Sequence, residues 1–407
     1  MNHQNRWLVL AASVLANLCI GSAYAWSVFQ KPLISLFGWS TTQASLAFTL
    51  SLSLVPFAMI VAGKIQDKRG PMVVILIGGL IFGLGIFLTG FSTSILTLYL
   101  TYGVLGGVGI GVIYGCTIPN TVKWFPDKRG LSGGLIAGGF GMGSVVFGPL
   151  SAKLIANPSV GVLATFKIEG IIYCIVVVLA SLFIVAPQAG HKPAGWEPPV
   201  PTVGSAPSGI NLSAGEMLKT VQFWILWSMY TIGCVAGLMI IGHASPIAQE
   251  KIGLSPEVAA GAVAFLGLAN TLGRMFWGAI SDRIGRYNAL ILMYLVSGGM
   301  MLFLNAASNY WMFVIAIMGI ALAFGGFMGI FPSLTADNFG TAHLGTNYGV
   351  MFIAYGLAAF VGPRLAATVK QSSGGDYSLA FLITSAMSVA GVLLALYIRA
   401  SRKKVAA

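Results

Sequence analysis

The chain has 407 residues, of which 57% are hydrophobic and 8% charged, and its net charge is +12. Soluble globular proteins contain about 25% charged residues, so the composition excludes a soluble domain and indicates a polytopic membrane protein. The basic excess follows from the membrane topology argued below and requires no nucleic-acid partner.

A transmembrane helix needs about 20 apolar residues, and windows of that length occur twelve times in the sequence. We therefore predict an all-α membrane protein with twelve transmembrane helices in the lipid bilayer. The predicted spans are 7–30, 42–64, 71–92, 94–119, 131–155, 163–186, 222–243, 256–280, 288–306, 310–333, 346–367 and 378–398.

Twelve spans put both termini on one side of the membrane. Fifteen Lys or Arg residues fall on that side and six on the other, and basic loops face the cytoplasm. Both termini are therefore expected in the cytoplasm, with the protein in the cytoplasmic (inner) membrane. The four cysteines fall within predicted spans at no metal-ligand spacing, so neither a metal nor a cofactor is expected.

Aromatic residues with a polar edge lie inside the N-terminal spans. Tyr24, in the first span, belongs either to an interfacial aromatic belt or to a cavity. Tyr114 lies among the closely spaced glycines of the fourth span, and its hydroxyl is expected to face a cavity. Phe140, in the next glycine-rich stretch, is included in the predicted binding site.

An internal repeat is the strongest architectural signal. The turn GKIQDKRGP after the second span recurs, as GAISDRIGR, 215 residues later. This pattern resembles the G-x-x-x-D-x-x-G loop of the major facilitator superfamily, and the resemblance implies two six-helix halves. The charged residues of the two loops are predicted to form a cytoplasmic gate, in which Asp67 accepts from a basic neighbour or from a helix end. The predicted gate residues are Asp67, Arg69, Asp282, Arg283 and Arg286.

The halves are predicted at residues 1–186 and 222–407, joined by a cytoplasmic linker at 187–221. The linker is rich in Pro, Gly and Ser, which cannot build a core. Near its end, Ser213 and Glu216 form a capping-box pattern that predicts a short helix leading into the seventh span.

Three sequence strings indicate a particular family within this superfamily. They are WFPDKRGL from Trp124, GEMLKTVQFWILW from Gly215, and NYG from Asn347. They resemble the oxalate/formate antiporter family and the related monocarboxylate transporters. The resemblance implies a secondary transporter of carboxylates that works by alternating access.

Arg274 lies within the apolar eighth span. A guanidinium at membrane depth costs roughly 2.5–3.5 kcal/mol on insertion scales and stays charged. The equivalent position of the first half is Met59, and the acids Glu169 and Glu257 are expected toward the outer ends of their helices, so a structural ion pair is hard to build. We therefore expect Arg274 to bind an anionic substrate, with Asn270 one turn earlier as a hydrogen-bonding neighbour.

The resemblance also indicates how many carboxylates the anion carries. Oxalate-carrying members have a second cation, a Lys, at the position that falls on Tyr355 here, so a small monocarboxylate such as lactate or pyruvate is expected. Phe324 and Met328, one helical turn apart, are expected to contact its methyl end. Tyr24, Tyr114 or Tyr355 would hydrogen-bond a hydroxyl or keto oxygen.

Proton symport is the favoured mechanism, because carrying a bare anion inward costs about 2.3 kcal/mol per 100 mV. The Asp and Lys that animal monocarboxylate carriers use are replaced by Asn270 and Val28. The proton carrier is left open between His243, a tyrosine cluster and the substrate. An obligate carboxylate exchanger and a non-transporting carboxylate sensor are the alternatives. An enzyme is not expected, since no nucleophile, acid–base pair or metal cluster lies at membrane depth in the predicted spans.

Overall fold

The computed structural model describes residues 5–188, 190–193, 196–197 and 211–405. Twelve helical segments within these residues are long and apolar enough to cross a membrane. The prediction of an all-α protein with twelve membrane-spanning helices is therefore confirmed.

The helices in chain order are α1 (Arg6–Ile20), α2 (Trp26–Phe37), α3 (Thr41–Arg69), α4 (Pro71–Thr89), α5 (Ile95–Leu98), α6 (Gly107–Trp124), α7 (Arg129–Ala156), α8 (Gly161–Ser181), α9 (Ala214–Leu218), α10 (Val221–Glu250), α11 (Pro256–Ile284), α12 (Arg286–Ala306), α13 (Tyr310–Phe339), α14 (Leu344–Ser372) and α15 (Ser378–Val405).

Two spans are not regular α-helices along their whole length. A 3₁₀ segment, Gly21–Ala25, separates α1 from α2 in the first span. A π-helical segment, Tyr99–Gly106, separates α5 from α6 in the fourth span. Hydropathy reports the length of an apolar run and not its winding, so the sequence showed both spans as single helices. Irregular winding inside a membrane helix often marks a functional position.

The described residues form two compact units. The N-unit takes its residues from Met1–Asp127, Ile136–Ala194 and Thr341–Val350. The C-unit takes its residues from Lys128–Leu135, Gly195–Gly340 and Met351–Ala407. The first turns of α7 thus belong to the C-unit, and the first turns of α14 belong to the N-unit.

Equivalent helices pack in the same way in the two units. In the N-unit, α3 packs on α6, and α4 packs on both α6 and α8. In the C-unit, α11 packs on α13, and α12 packs on both α13 and α15. The repeat seen in the sequence therefore corresponds to a repeated helix packing.

The last glycine of each repeated loop ends its helix. Gly70 after α3 has a φ of +82°, and Gly285 after α11 has a φ of +88°. A side chain is strained in this region of backbone space, whereas glycine is not. The chain reverses at these glycines, so α4 and α12 begin at the very next residue.

The end of the predicted linker contains the short helix α9. The Ser213 side chain accepts a hydrogen bond from the Glu216 backbone N–H, and the Ser213 N–H donates to the Glu216 carboxylate at 2.8 Å. The predicted capping box is therefore confirmed. Much of the linker before it, including 198–210, lies outside the described residues.

Candidate functional site

Arg274 lies on α11 inside the C-unit and is only 1% exposed. Glycines of α13 let the two helices meet backbone to backbone at this level. A Cβ atom added to Gly325 would lie 2.0 Å from the Asn270 carbonyl oxygen, and one added to Gly329 would lie 2.5 Å from the Arg274 carbonyl oxygen. Small residues permit this approach in membrane helices, and here they fix the height and rotation of Arg274.

A third helix segment approaches the same backbone. Gly134 belongs to the first turns of α7, which are part of the C-unit. A Cβ atom on Gly134 would lie 2.3 Å from the Arg274 carbonyl oxygen. Asn270 is also buried and lies one helical turn before Arg274, as the sequence spacing requires. The polar pair is therefore held in a tightly packed part of α11.

Aromatic residues of α10, α13 and α14 form a cluster in the C-unit. The Tyr230 ring stacks on Phe331 with centroids 4.0 Å apart, and the Tyr230 hydroxyl lies 3.4 Å from the Met328 sulfur. Phe352 lies 6.3 Å from the Tyr230 ring and 4.9 Å from the Tyr355 ring. The cluster joins Met328 to Tyr355, two of the predicted site residues.

Phe324 has a different environment. It is buried against the backbone of α10, where a Cβ atom on Gly237 would lie 2.3 Å from its ring. This contact is helix packing, and it takes up one face of the ring. Tyr230, at the centre of the cluster, was missed in the sequence; its only signal is its place three residues after the family-like string that ends at Trp227.

The N-unit brings together three of its four predicted site residues. Phe140 of α7 makes edge contacts with Tyr24, at 4.9 Å, and with Tyr114, at 5.3 Å. Tyr24 lies in the 3₁₀ segment, whose Gly21 packs directly on the Phe140 backbone. Val28 is half-buried on α2, four residues after Tyr24.

Asp67 holds the first turn of α14 in the N-unit. Its carboxylate accepts from the Gly345 N–H at 3.2 Å, and from the N–H and hydroxyl of Thr346, each at 3.1 Å. Lys123 lies 3.3 Å from the same carboxylate. The carboxylate thus satisfies free N–H groups at the positive end of the helix. Of the partners that the sequence left open for Asp67, the structure shows the end of a neighbouring helix.

Asp282 makes the equivalent contact in the C-unit. It accepts from the backbone N–H groups of Gly130 at 2.9 Å and Leu131 at 2.8 Å, in the first turn of α7. Arg286 lies 2.6 Å from Asp282. Arg286 also lies 3.0 Å from Asp337, which pairs with Arg129 at 2.5 Å.

Arg69 and Arg283 are exposed and form no ion pair with another residue that the structure describes. Lys123, Arg129 and Asp337 occupy the network instead, and none of the three was among the predicted gate residues. Asp337 is one of only ten acids in the chain, and that scarcity was the available signal.

Glu169 lies deeper in its helix than the sequence predicted. It was expected toward the outer end of its helix, but it lies eight residues after the start of the 21-residue α8 and is buried. The predicted span began at 163, whereas the helix begins at Gly161 and ends earlier, which moves Glu169 to its middle.

A sequence profile of the Major Facilitator Superfamily matches residues 7–363 and 235–407. The chain is 34% identical to the uncharacterized MFS-type transporter YhjX of Escherichia coli, covering 88% of this chain and 87% of YhjX. It is 32% identical to the oxalate:formate antiporter of Oxalobacter formigenes, covering 97% and 91%. The solved structure of the transporter FucP in the outward conformation matches with a TM-score of 0.72 at 18% identity, covering 96% of this chain and 98% of FucP.

Proposed function

Because the chain belongs to the Major Facilitator Superfamily of membrane transporters, we propose that it is a secondary active transporter of small monocarboxylates such as lactate or pyruvate. The transport is by proton symport across the cytoplasmic membrane, with both termini in the cytoplasm. The basic residues, fifteen on the terminal side and six on the other, support that orientation.

The observation that carries the proposal is the buried cation at Arg274. A guanidinium cannot be neutralised by losing a proton at physiological pH, so it remains charged at 1% exposure. Its fork of N–H donors matches a carboxylate with two parallel hydrogen bonds, and the pair is stronger in a dry site than in water. The similarity to an oxalate:formate antiporter supports a carboxylate as the anion.

The absence of a second cation at Tyr355 favours one carboxylate over two. Tyr355 stacks on Phe352 at 4.9 Å, and this pair continues into the cluster around Tyr230. Such a cluster presents apolar ring faces with a few hydroxyls, which suits a methyl group beside a hydroxyl or keto oxygen. Tyr24 and Tyr114, which both contact Phe140 in the N-unit, remain predicted donors to a hydroxyl or keto oxygen.

Alternating access in this proposal is a rocking of the two halves, 1–186 and 222–407, about the substrate. Asp67 and Asp282 act as latches, because each holds the first turn of a helix from the other half of the sequence through backbone N–H groups. Releasing both contacts frees α7 and α14 to move.

The test is uptake of labelled L-lactate into proteoliposomes with and without a pH gradient. We expect Arg274→Ala to abolish uptake. Arg274→Lys keeps the charge but loses the fork, and we expect uptake to fall at least about tenfold, which corresponds to about 1.4 kcal/mol. The matched control is Arg364→Lys, since Arg364 is exposed with its guanidinium 3.9 Å over the Phe360 ring. Wild-type uptake by Arg274→Lys contradicts the site.

Obligate exchange is the second candidate, and the 32% identity to the oxalate:formate antiporter favours it. The two mechanisms differ in what the lumen must contain. A symporter takes up lactate into empty vesicles when a pH gradient is imposed. An exchanger takes it up only when the lumen holds a carboxylate, whatever the gradient.

A further inference from the structure

Glu169 is a buried acid near the middle of α8, inside the N-unit. It is 2% exposed and lies eight residues from the helix start at Gly161, about 12 Å along the axis at 1.5 Å per residue. It has no part in the gate or in the group around Phe140. An ionised carboxylate at such a position is strongly disfavoured, so intramembrane acids of this kind generally carry a function.

The hydrogen bonds around Glu169 are compatible with a protonated carboxyl group. The Ser151 oxygen lies 2.6 Å from the Phe147 carbonyl oxygen and 2.5 Å from Glu169 Oε1. A hydroxyl has one hydrogen, and a carbonyl oxygen can only accept. If Ser151 donates to Phe147, the hydrogen between Ser151 and Glu169 belongs to the carboxyl group. Tyr173 donates to the other oxygen, Oε2, at 2.8 Å, so a neutral acid satisfies every contact.

Among the described residues, the titratable groups near Glu169 are Tyr173 on α8 and Tyr102 of the π-helical segment, with Cys19 of α1 near Tyr173. None of them is a base that would hold a carboxylate as an ion pair. Lysines also occur on α7 and α8, the helices that carry Ser151 and Glu169. Lys153 of α7 is exposed, and the Lys167 ammonium of α8 lies 3.9 Å from the centroid of the Phe91 ring. The surroundings therefore favour the protonated form of Glu169.

A small cavity gives the carboxyl group contact with polar side chains. Its wall includes Glu169, Tyr173, Tyr102, Ser22 and Ser51, and it has room for about one water molecule. A buried water needs two to four polar partners, and these hydroxyls provide them. Tyr102 belongs to the π-helical segment, so an irregular backbone forms part of the wall. The carboxyl group thus borders a space of about one water molecule whose wall carries hydroxyl groups.

We propose that Glu169 is the site that binds the transported proton. Its carboxylate takes H⁺ from water on one side of the membrane, the neutral acid moves with the N-unit, and H⁺ leaves to water on the other side. After release, the Ser151 hydroxyl rotates to donate to Oε1 while Tyr173 still donates to Oε2, so the same two hydroxyls serve both states. One proton moving with one monocarboxylate makes the cycle neutral. This assignment rests on the proposed symport.

The first test measures protonation directly and without transport. The purified full-length protein in lipid is examined by infrared spectroscopy for the C=O stretch of a protonated carboxylic acid at neutral pH. We expect this band in the wild type and its loss in Glu169→Gln. Glu250→Gln is the matched control, because Glu250 is exposed and ion-paired with Lys370 at 2.7 Å; this variant keeps the band. A band that survives Glu169→Gln, or no band in the wild type, overturns the assignment.

The second test separates coupling from substrate binding in proteoliposomes. A gradient of one pH unit can support up to about tenfold accumulation of lactate for one proton per anion. We expect the wild type and Glu250→Gln to accumulate lactate. For Glu169→Gln, we expect the internal lactate concentration to rise only to the external concentration. Its exchange of lactate between loaded compartments (counterflow) should stay near the wild-type rate, because substrate binding and the movement of the two halves do not require the proton site.

The outcomes distinguish the two proposals. If the wild type accumulates lactate and Glu169→Gln does so equally well, symport stands and Glu169 is not its proton site. If Glu169→Gln also loses counterflow, its effect is structural and the assignment fails. If the wild type ignores the gradient, the proposed symport fails, and the coupling role of Glu169 fails with it.

Discussion

At the scale of single residues, the placement of Arg274 depends on the glycines packed against its helix as well as on its own chemistry. Gly325 and Gly329 of α13 lie against the α11 backbone at Asn270 and Arg274. Any side chain on these glycines must push α11 away, because the nearest atoms are backbone atoms that cannot rotate aside. The orientation of the guanidinium is therefore set by residues that have no side chain.

We expect Gly325→Ala to damage both stability and lactate uptake. The added methyl group would lie 2.0 Å from the Asn270 carbonyl oxygen, and overpacking of this kind costs about 1–3 kcal/mol. Thermal unfolding in detergent and proteoliposome uptake measure the two effects. Gly299→Ala on α12 is the control, since no atom lies within 4 Å of its Cβ position. Equal behaviour of the two variants would show that the α11–α13 contact does not position Arg274.

At the scale of helices, the two repeated loops make the same kind of contact, a carboxylate that caps a helix, in different units. Asp67 and Asp282 each accept hydrogen bonds from the first turn of a helix, α14 or α7. The surrounding charges differ, because Asp67 has Lys123 as its ionic neighbour whereas Asp282 has Arg286, which is shared with Asp337. The repeat therefore conserves the helix cap, while the ion pairs around it have diverged.

We expect Asp67→Ala and Asp282→Ala to lower the rate of lactate uptake, because the latch contacts to α14 and α7 are lost. A lost helix cap costs about 0.5–2 kcal/mol, which thermal unfolding would report. Asp376→Ala is the matched control: Asp376 accepts from the Ser378 N–H at 3.1 Å at the start of α15 and lies in no gate. It should lose similar local stability and transport normally. Normal transport by both latch variants would contradict the gate.

At the scale of the whole molecule, the charge balance is the basis of the proposed orientation. Two exposed residues lie in loops that can be labelled: Lys192 in the linker and Ser373 between α14 and α15. These loops are separated by an odd number of spans, so they face opposite sides of the membrane. Three of the four native cysteines are buried and Cys174 is partly buried, which keeps the background of thiol labelling low.

We expect a membrane-impermeant thiol reagent to label Ser373→Cys in intact cells and to label Lys192→Cys only after the cells are made permeable. The unmodified chain is the control for the native thiols. The reverse pattern would place the termini outside and contradict the proposed topology.

Much of the fold was predictable because its signals are local. Twelve apolar runs of sufficient length show as twelve spans, and the repeat at a separation of 215 residues shows as repeated helix packing. The predicted capping box at Ser213 needs only four consecutive residues, so it was also accessible. The π-helical and 3₁₀ segments were not, since each lies inside a continuous membrane span and hydropathy does not report helical winding.

The sequence by itself determined the number of spans, the repeat and the position of Arg274 within an apolar span, because hydrophobicity, spacing and charge are properties of the chain read locally. Only the tertiary structure decided that Phe140 joins Tyr24 to Tyr114 and that Tyr230 joins Met328 to Phe352. It also decided that Glu169 is buried beside Ser151 and Tyr173. The physical reason is that all of these contacts except the one between Glu169 and Tyr173 join different helical segments, so they depend on the rotation and height of each helix, which small differences in packing set.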